Sequence, residues 1–206
     1  MNKQSKLYTI IFTFVISFFF VFILAFANEF TKDRIAMNNE LFEIKAVLYA
    51  FGIEYKDNND AYEKYDREVK IIEINDQKIF FSEVNGENIY AMIFTGNALW
   101  GPATGVLALK EDFTRIHGLD FISHNETPGL GGRIEEKWFK EQFKNLKLNN
   151  GNIKVVITPR EGDTNKDNSL VDSITGATNT SLSIETIVNQ SVEKLSSLVE
   201  AIKYAE

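Results

Sequence analysis

Apolar and polar positions divide the chain into an apolar block near the N-terminus and a mixed remainder. Residues from Leu7 to Ala27 are uncharged and almost all apolar. As a helix with a rise of about 1.5 Å per residue, this block would be roughly 31 Å long, close to the hydrocarbon thickness of a bilayer. A surface helix of a soluble domain would need a polar face, and the block has none. We therefore predict residues 1–28 as a single-pass membrane anchor.

The residues flanking the block predict its orientation. Lys3 and Lys6 precede it, and basic residues on a short flank favour a cytoplasmic N-terminus. The alternative is a cleaved signal peptide, because Ala25-Phe26-Ala27 resembles a cleavage site, although the block is longer than the usual apolar region of such peptides. Both interpretations place the remainder of the chain outside the cytoplasm, and the first places the protein in the cell (inner) membrane.

Helical periodicity returns after the block and again near the C-terminus. Apolar residues recur at helical spacing from Glu29 to Phe51, and Gly52 suits a C-terminal stop, so residues 29–52 are predicted as a linking helix. Similar stripes predict an amphipathic helix over Glu135–Leu146 and a long helix from about Thr180 to Ala205. The polar stretch from Lys56 to Glu68 lacks this period and is predicted as a loop or a frayed helix.

Short runs rich in β-branched and aromatic residues lie between these helices. They are separated by turn-forming pairs such as Asn75-Asp76 and Asn85-Gly86, and the second pair predicts a hairpin. The predicted strands are Lys70–Ile74, Lys78–Glu83, Asn88–Thr95, Thr104–Leu109, Ile116–Ile122 and Ile153–Thr158. This order predicts an α+β fold, in which residues 53–206 form a single domain with a largely antiparallel sheet packed by helices.

Composition narrows the classes of chemistry that the chain can support. The net charge is −7, and because only Lys3 and Lys6 of the 22 basic residues precede the apolar block, 20 basic residues face 29 acidic ones after it. Such an acidic domain argues against a nucleic-acid partner. The absence of cysteine excludes disulfides, thiolate catalysis, iron–sulfur clusters and cysteine-ligated zinc. With only two histidines, we predict no metal site.

A loop of small residues precedes the last predicted helix. It reads Asp172-Ser173-Ile174-Thr175-Gly176-Ala177-Thr178 and is followed by further hydroxyl side chains. A helix N-terminus offers unpaired N–H groups and a positive dipole end, which together suit a phosphate. Gly176 and Ala177 would let a phosphate approach the backbone, and hydroxyls are available at Thr175, Thr178, Thr180 and Ser181. The alternative is an ordinary helix cap, since these residue types favour helix starts in any case.

A second loop, His124–Gly132, is rich in glycine. Its Pro128-Gly129 pair predicts a type II turn, and the glycines that follow would let a flat ring approach main-chain groups closely. A plain connection between a strand and a helix is the alternative. His124 would either influence a bound redox group or face solvent.

The two loops together resemble the FMN-binding domain family. Asp-x-x-Thr-Gly-Ala-Thr at Asp172–Thr178 is similar to the flavinylation motif of this family, and Glu-Thr-Pro-Gly-Leu-Gly at residues 126–131 is similar to its second motif. The family includes the C subunit of the Na⁺-translocating NADH:quinone reductase (Nqr) and the G subunit of the Rnf complex. The chain departs from the Nqr member at Ile157–Arg160, where Arg160 or Lys166 would have to supply any basic contact to the flavin.

The resemblance implies a role for individual residues. FMN would be esterified through its phosphate to Thr178 by a separate Mg²⁺-dependent flavin transferase that uses FAD, so the chain itself needs no catalytic residue. Thr175, Gly176 and Ala177 would lie at the phosphate. Against the isoalloxazine ring would lie Glu126, Thr127, Gly129 and Leu130. Trp100, in a Leu-Trp-Gly-Pro stretch similar to the Nqr branch, would stack on the flavin or close the core.

The resemblance also implies the biological setting. The protein would be an electron-carrying subunit of an ion-translocating Nqr-type or Rnf-type membrane oxidoreductase, with other membrane subunits as partners and no complete activity alone. A stand-alone, membrane-anchored flavoprotein reductase is the first alternative. A module without flavin, in which both loops are only caps and turns, is the second.

Overall fold

The structure is a computed structural model that describes residues 6–74, 77–158 and 162–203. Lys3, the Asn75-Asp76 pair, Arg160 and Ala205, on which parts of the predictions rest, lie outside the described residues. The chain divides into two compact units, with the division between Leu41 and Phe42. The predicted boundaries at residues 28 and 52 are not tested by this division and stay predictions.

The first helix, α1, spans Lys6–Phe51 without interruption. Before Leu41 its large apolar side chains are exposed, for example Phe14 at 70% and Leu24 at 69%. Its most apolar window has a mean hydropathy of 2.9 and no buried residue. By length and composition this part of α1 can cross a membrane, so the structure has the long apolar N-terminal helix that the sequence predicts.

The second unit is built on a five-stranded antiparallel sheet in the order β1-β2-β3-β4-β5. The strands are β1 (Lys70–Ile74), β2 (Gln77–Val84), β3 (Glu87–Asn97), β4 (Pro102–Lys110) and β5 (Ile116–Ser123). Each of these predicted strands is confirmed within a few residues. The hairpin at Asn85-Gly86 is confirmed as well, with φ of 53° and 79° at its two central residues, as a type I′ turn requires.

Alternate residues of the sheet serve two separate cores, as strand geometry dictates. One face carries Phe80, Ile89, Ala91, Val106 and Ala108, which pack with the end of α1 in one cluster. The other face carries residues such as Ile79, Met92, Phe94, Leu107 and Leu119, which join the core formed with the C-terminal helices. The predicted α+β class, with helices packed on an antiparallel sheet, is confirmed.

Residues Lys56–Glu68 were predicted as a loop or a frayed helix, and of these two the loop is wrong, because Asn58–Glu68 forms a regular helix, α2. The side chain of Asp57 caps it by accepting a hydrogen bond from the backbone N–H of Asp60 at 3.0 Å. Ala61 alone is fully buried on this helix, and Tyr62 and Tyr65 pack partly against the core. Such a narrow apolar stripe leaves little periodicity for a sequence pattern to detect.

We expect the substitution Asp57→Ala to lower the free energy of unfolding by about 1 kcal/mol, because the N–H of Asp60 would lose its capping acceptor. Chemical denaturation followed by circular dichroism would measure the change. Asp66→Ala, at an exposed position later in α2, is the matched control and should change stability little. Equal effects of the two substitutions would contradict a capping role for Asp57.

The C-terminal half supplies the remaining elements. A 3-10 helix at Gly131–Glu135 precedes α3 (Lys137–Phe143), so the predicted helix Glu135–Leu146 is shorter than expected. The predicted strand Ile153–Thr158 is reduced to β6 (Lys154–Val156), which pairs in parallel with an unpredicted strand, β7 (Leu170–Asp172). The last helix is confirmed as α4, Thr178–Lys203.

Candidate functional site

The loop before α4 is held in one conformation by its own hydrogen bonds. The N–H of Ala177 donates to the carbonyl of Ile174 at 2.9 Å, and Gly176 between them has φ of 80°, a value that favours glycine. The fully buried Ser181 hydroxyl donates to the carbonyl of Ala177 at 3.0 Å and accepts from the N–H of Ile174 at 2.9 Å. Ser181 therefore fixes the loop to the first turn of α4.

Thr178 is the first residue of α4 and is half-buried. Within the part of the chain that the structure describes, its hydroxyl has no hydrogen-bond partner. The N-terminal end of a helix of 26 residues carries unpaired N–H groups and a partial positive charge. The exposed Thr175 and Gly176 lie beside it in the loop. The backbone at Thr178 is thus arranged to favour an anionic group, next to a free hydroxyl.

The second loop forms the predicted type II turn. The N–H of Leu130 donates to the carbonyl of Thr127 at 3.1 Å across Pro128-Gly129, and Gly129 has φ of 74°. The N–H of Gly132 donates to the same carbonyl at 3.0 Å. Pro128, Gly129 and Leu130 are exposed, and Leu130 is 47% exposed. The turn therefore presents Leu130 at the surface.

Glu126 joins three segments of the site. Its side chain is buried, at 4% exposure. One carboxylate oxygen accepts a hydrogen bond from the backbone N–H of Trp100 at 2.9 Å, and the other accepts from the hydroxyl of Thr180 at 2.6 Å. A Cβ atom at Gly131 would lie 2.4 Å from one of these oxygens, so this position has no room for a side chain. Glu126 thus connects the Trp100 loop, its own loop and the first turn of α4.

The two loops that the sequence singles out lie against each other. A Cβ atom at Gly176 would lie 3.4 Å from the Cδ2 atom of Leu130. On the other side, a Cβ atom at Gly101 would lie 2.6 Å from the side chain of Asn125, so the loop that carries Trp100 is packed on the 124–132 loop. The structure therefore brings together the residues predicted to bind phosphate with those predicted to bind the ring.

Several side chains have contacts that the sequence did not predict. Thr180 and Ser181 were predicted to offer hydroxyls to a phosphate, but both are buried and use their hydroxyls within the protein. Trp100 does not close the core, because it is 67% exposed. The link between Glu126 and Thr180 has no local sequence signal, since 54 positions separate the two residues.

His124 stabilises the second loop through a hydrogen bond. Its Nδ1 atom accepts a hydrogen bond from the N–H of Glu126 at 3.0 Å, and Nε2 lies 3.2 Å from a carboxylate oxygen of Glu135. Because Nδ1 accepts, the proton of the neutral ring is on Nε2. The side chain is only 12% exposed, so His124 does not face solvent. Among the described residues, no group of three or more acidic or histidine side chains is placed to hold a metal ion.

Comparisons with known proteins agree with this arrangement. Residues 99–193, which include both loops and Trp100, match the FMN-binding domain family. The C subunit of the Na⁺-translocating NADH-quinone reductase of Haemophilus ducreyi is 33% identical over 90 residues, which are 44% of this chain and 35% of that protein. Its counterpart in Vibrio vulnificus is 30% identical over 121 residues, 57% of this chain and 48% of the relative. The chain thus spans about a third to a half of the length of the curated relatives it matches.

Solved structures extend the similarity to most of the chain. The C subunit of the Na⁺-translocating NADH-quinone reductase from Parabacteroides distasonis superposes with a TM-score of 0.64 at 25% identity, covering 80% of this chain and 95% of that one. NqrC of Shewanella oneidensis gives a TM-score of 0.67 at 17% identity, covering 81% and 99%, and supports the fold alone. The predicted resemblance is therefore confirmed: residues 99–193 match the FMN-binding domain family, and the chain is similar to the C subunit of Na⁺-translocating NADH-quinone reductase.

Proposed function

We propose that this protein is the electron-carrying subunit of an Nqr-type membrane oxidoreductase and holds FMN through a phosphoester bond to Thr178. The observation that carries the proposal is the position of the Thr178 hydroxyl. It is half-buried at the first residue of α4, without a hydrogen-bond partner among the described residues, and it lies in a segment that matches the FMN-binding domain family.

The phosphate side of the site fits the proposed group. Thr178 would carry the phosphate, and the N–H groups at the start of α4 would stabilise its negative charge. Gly176 has no Cβ atom to obstruct the approach, and its φ of 80° is a value that favours glycine. Thr175 is exposed beside it, and Ala177 is the small residue between glycine and the acceptor. These four residues would therefore surround the phosphate.

The ring side of the site fits as well. Leu99, Trp100 and Leu130 are exposed by 46%, 67% and 47%, although apolar side chains of this size are usually covered in a soluble domain. They come from two loops that are connected through Glu126. A planar isoalloxazine would bury part of this surface, with Thr127 and Gly129 at its edge. When bound, FMN supplies the electron-carrying chemistry, and these residues would orient the ring and exclude water from one of its faces.

Attachment of FMN would require a second protein. Within the described part of the chain, no carboxylate or histidine is hydrogen-bonded to the Thr178 hydroxyl, so the chain offers no general base to activate it. A flavin transferase would supply that activation, with FAD as donor. The bond from Thr178 Oγ1 to the FMN phosphorus forms, the pyrophosphate bond of FAD breaks, AMP leaves, and the hydroxyl proton passes to solvent. No oxidation or reduction occurs in this step.

The setting of the site follows from the relatives and from α1. The curated relatives described above are subunits of Na⁺-translocating NADH-quinone reductase, which favours an Nqr-type complex over the Rnf-type alternative. Its other membrane subunits would be the partners of this chain. The apolar part of α1 would anchor the protein in the cell membrane, with the N-terminus in the cytoplasm and the second unit outside it.

The proposal predicts a covalent flavin that forms only in the presence of the transferase. We expect the full chain, co-expressed with an active flavin transferase, to gain the mass of one FMN less one water and to fluoresce in a denaturing gel. Expressed without the transferase, it should have the mass of its amino acids alone. A protein that never gains this mass, or whose flavin is lost on denaturation, would contradict the phosphoester.

A further inference from the structure

We propose that the protein has a second ligand site, for a small aromatic carboxylate, in a cavity away from the flavin loops. The cavity has a volume of about 360 Å³, within the range of small-molecule pockets. Its walls come from the end of α1, the residues after it, β5 and one face of α3. None of its lining residues belongs to the FMN site, so the proposal does not depend on the proposed function.

Part of the cavity wall suits a flat apolar body. Tyr49, Ile53 and Tyr55, which are all partly exposed, are among its lining residues. Aromatic rings prefer to pack against other rings with an offset or an edge contact. Gly118 keeps β5 close to α1, because a Cβ atom there would lie 2.4 Å from the carbonyl oxygen of Ala50. The apolar wall is therefore fixed by backbone packing.

Positive charge at the cavity comes from α3. Lys137 and Lys144 line it at the two ends of this helix, both are exposed, and neither has an ion pair within the described residues. Lys140, between them, is already used, because its ammonium lies 2.6 Å from a carboxylate oxygen of Asp120 and 4.2 Å from the ring centre of Tyr49. In a domain with more acidic than basic residues, two unpaired lysines at one cavity favour an anion.

Glu54 and Glu141 also line the cavity, so its wall has three lysines and two carboxylates. The hydroxyl of Tyr49 donates to Glu141 at 3.3 Å, and burial raises the pKa of Tyr49, so the phenol stays a neutral donor. His117 donates from Nε2 to the carbonyl of Phe51 at 3.0 Å, and burial lowers its pKa, which favours the neutral ring. Glu54 is the remaining acidic residue of the wall and is exposed to solvent.

Helix α3 connects this cavity with the flavin loop. Gln142, on the buried face of α3, accepts a hydrogen bond from the N–H of Asp172 at 2.8 Å and donates to its carbonyl at 3.2 Å. Asp172 is the first residue of the loop that ends at Thr178. A ligand that contacts Lys137 or Lys144 would therefore touch the same short helix that positions the start of this loop.

The test uses the full chain in detergent micelles and 4-(trifluoromethyl)benzoate as the probe, observed by ¹⁹F NMR. We expect saturable binding with a dissociation constant of about 1 mM or tighter, as is usual for a ligand of this size. The neutral amide, 4-(trifluoromethyl)benzamide, should bind at least about fivefold more weakly, because it lacks the charge that the lysines attract. Empty micelles correct for partition of either probe into detergent.

Matched variants locate the site. The double substitution Lys137→Gln and Lys144→Gln should weaken binding of the benzoate at least about fivefold and leave the amide unchanged. Lys154→Gln, at an exposed position on β6, is the control and should have no effect. Ile53→Trp, which fills the cavity, should remove binding of both probes. No saturable binding, equal affinity for both probes, or equal effects of the lysine substitutions and the control would each overturn the proposal.

Discussion

Replacement of Thr178 by valine is expected to give a folded protein that carries no covalent flavin. Valine preserves the branched shape of threonine but has no oxygen to form the phosphoester. Because Thr178 is half-buried at a helix start and its hydroxyl has no partner among the described residues, we expect the free energy of unfolding to change by no more than about 1 kcal/mol. The measurement is the mass of the protein after co-expression with the transferase, together with fluorescence in a denaturing gel.

Two controls separate loss of the acceptor from damage to the site. Thr186→Val removes a hydroxyl two turns further along α4, where, among the described residues, it donates a hydrogen bond to the carbonyl of Leu182, and should leave the flavin in place. Thr175→Val keeps the acceptor but removes the exposed neighbouring hydroxyl, so it should still yield flavinylated protein. A Thr178→Val protein that keeps the added mass would show that another residue carries the flavin.

Much of the fold was predictable because its signals are local. Residues of strands β2, β3 and β4 alternate between two cores, so apolar side chains of these strands recur with a period of two. Asn85-Gly86 identifies a hairpin because both residues adopt positive φ easily. The apolar residues of α4 recur at helical spacing over its whole length, which makes this helix easy to predict. Such features need no knowledge of distant parts of the chain.

The elements that were missed depend on contacts that no local pattern contains. Strand β7 has only three residues and pairs with β6, which precedes it by more than a dozen positions. Helix α2 buries a single alanine completely, so its periodicity is weak. The hydrogen bond between Glu126 and Thr180 joins the 124–132 loop to the first turn of α4, and the two come together only through packing. Strand β7, helix α2 and this hydrogen bond all depend on contacts between distant parts of the chain.

The candidate site combines a fixed frame with an exposed surface. Buried Ser181, Thr180 and Glu126 use their polar atoms to hold the loops. Thr178, Trp100 and Leu130 remain partly or largely exposed at the surface of that frame. An electron carrier benefits from this division, because a ring held by rigid loops keeps a defined distance to neighbouring redox groups, while its exposed edge stays accessible to them.

The second large effect is expected at Glu126. In a Glu126→Ala protein the Trp100 N–H and the buried Thr180 hydroxyl both lose their acceptor. Leaving buried polar groups unsatisfied, together with the space left by the side chain, should lower the free energy of unfolding by about 2–4 kcal/mol. The more specific readout is hydrogen exchange of the Trp100 amide, which should be protected in the unmodified chain and exchange rapidly in the variant.

The substitution Glu126→Gln distinguishes hydrogen bonding from charge in this role. The glutamine oxygen can accept from the N–H of Trp100 while its amide donates to the hydroxyl of Thr180, which can also act as an acceptor. If Glu126 acts by positioning the loops, Glu126→Gln should keep the protection of the Trp100 amide, and a double-mutant cycle of Glu126→Ala with Thr180→Val should show a coupling energy of about 1–3 kcal/mol between the two positions. Loss of protection in Glu126→Gln equal to that in Glu126→Ala would mean that the negative charge, and not the bridge between loops, is what the site requires.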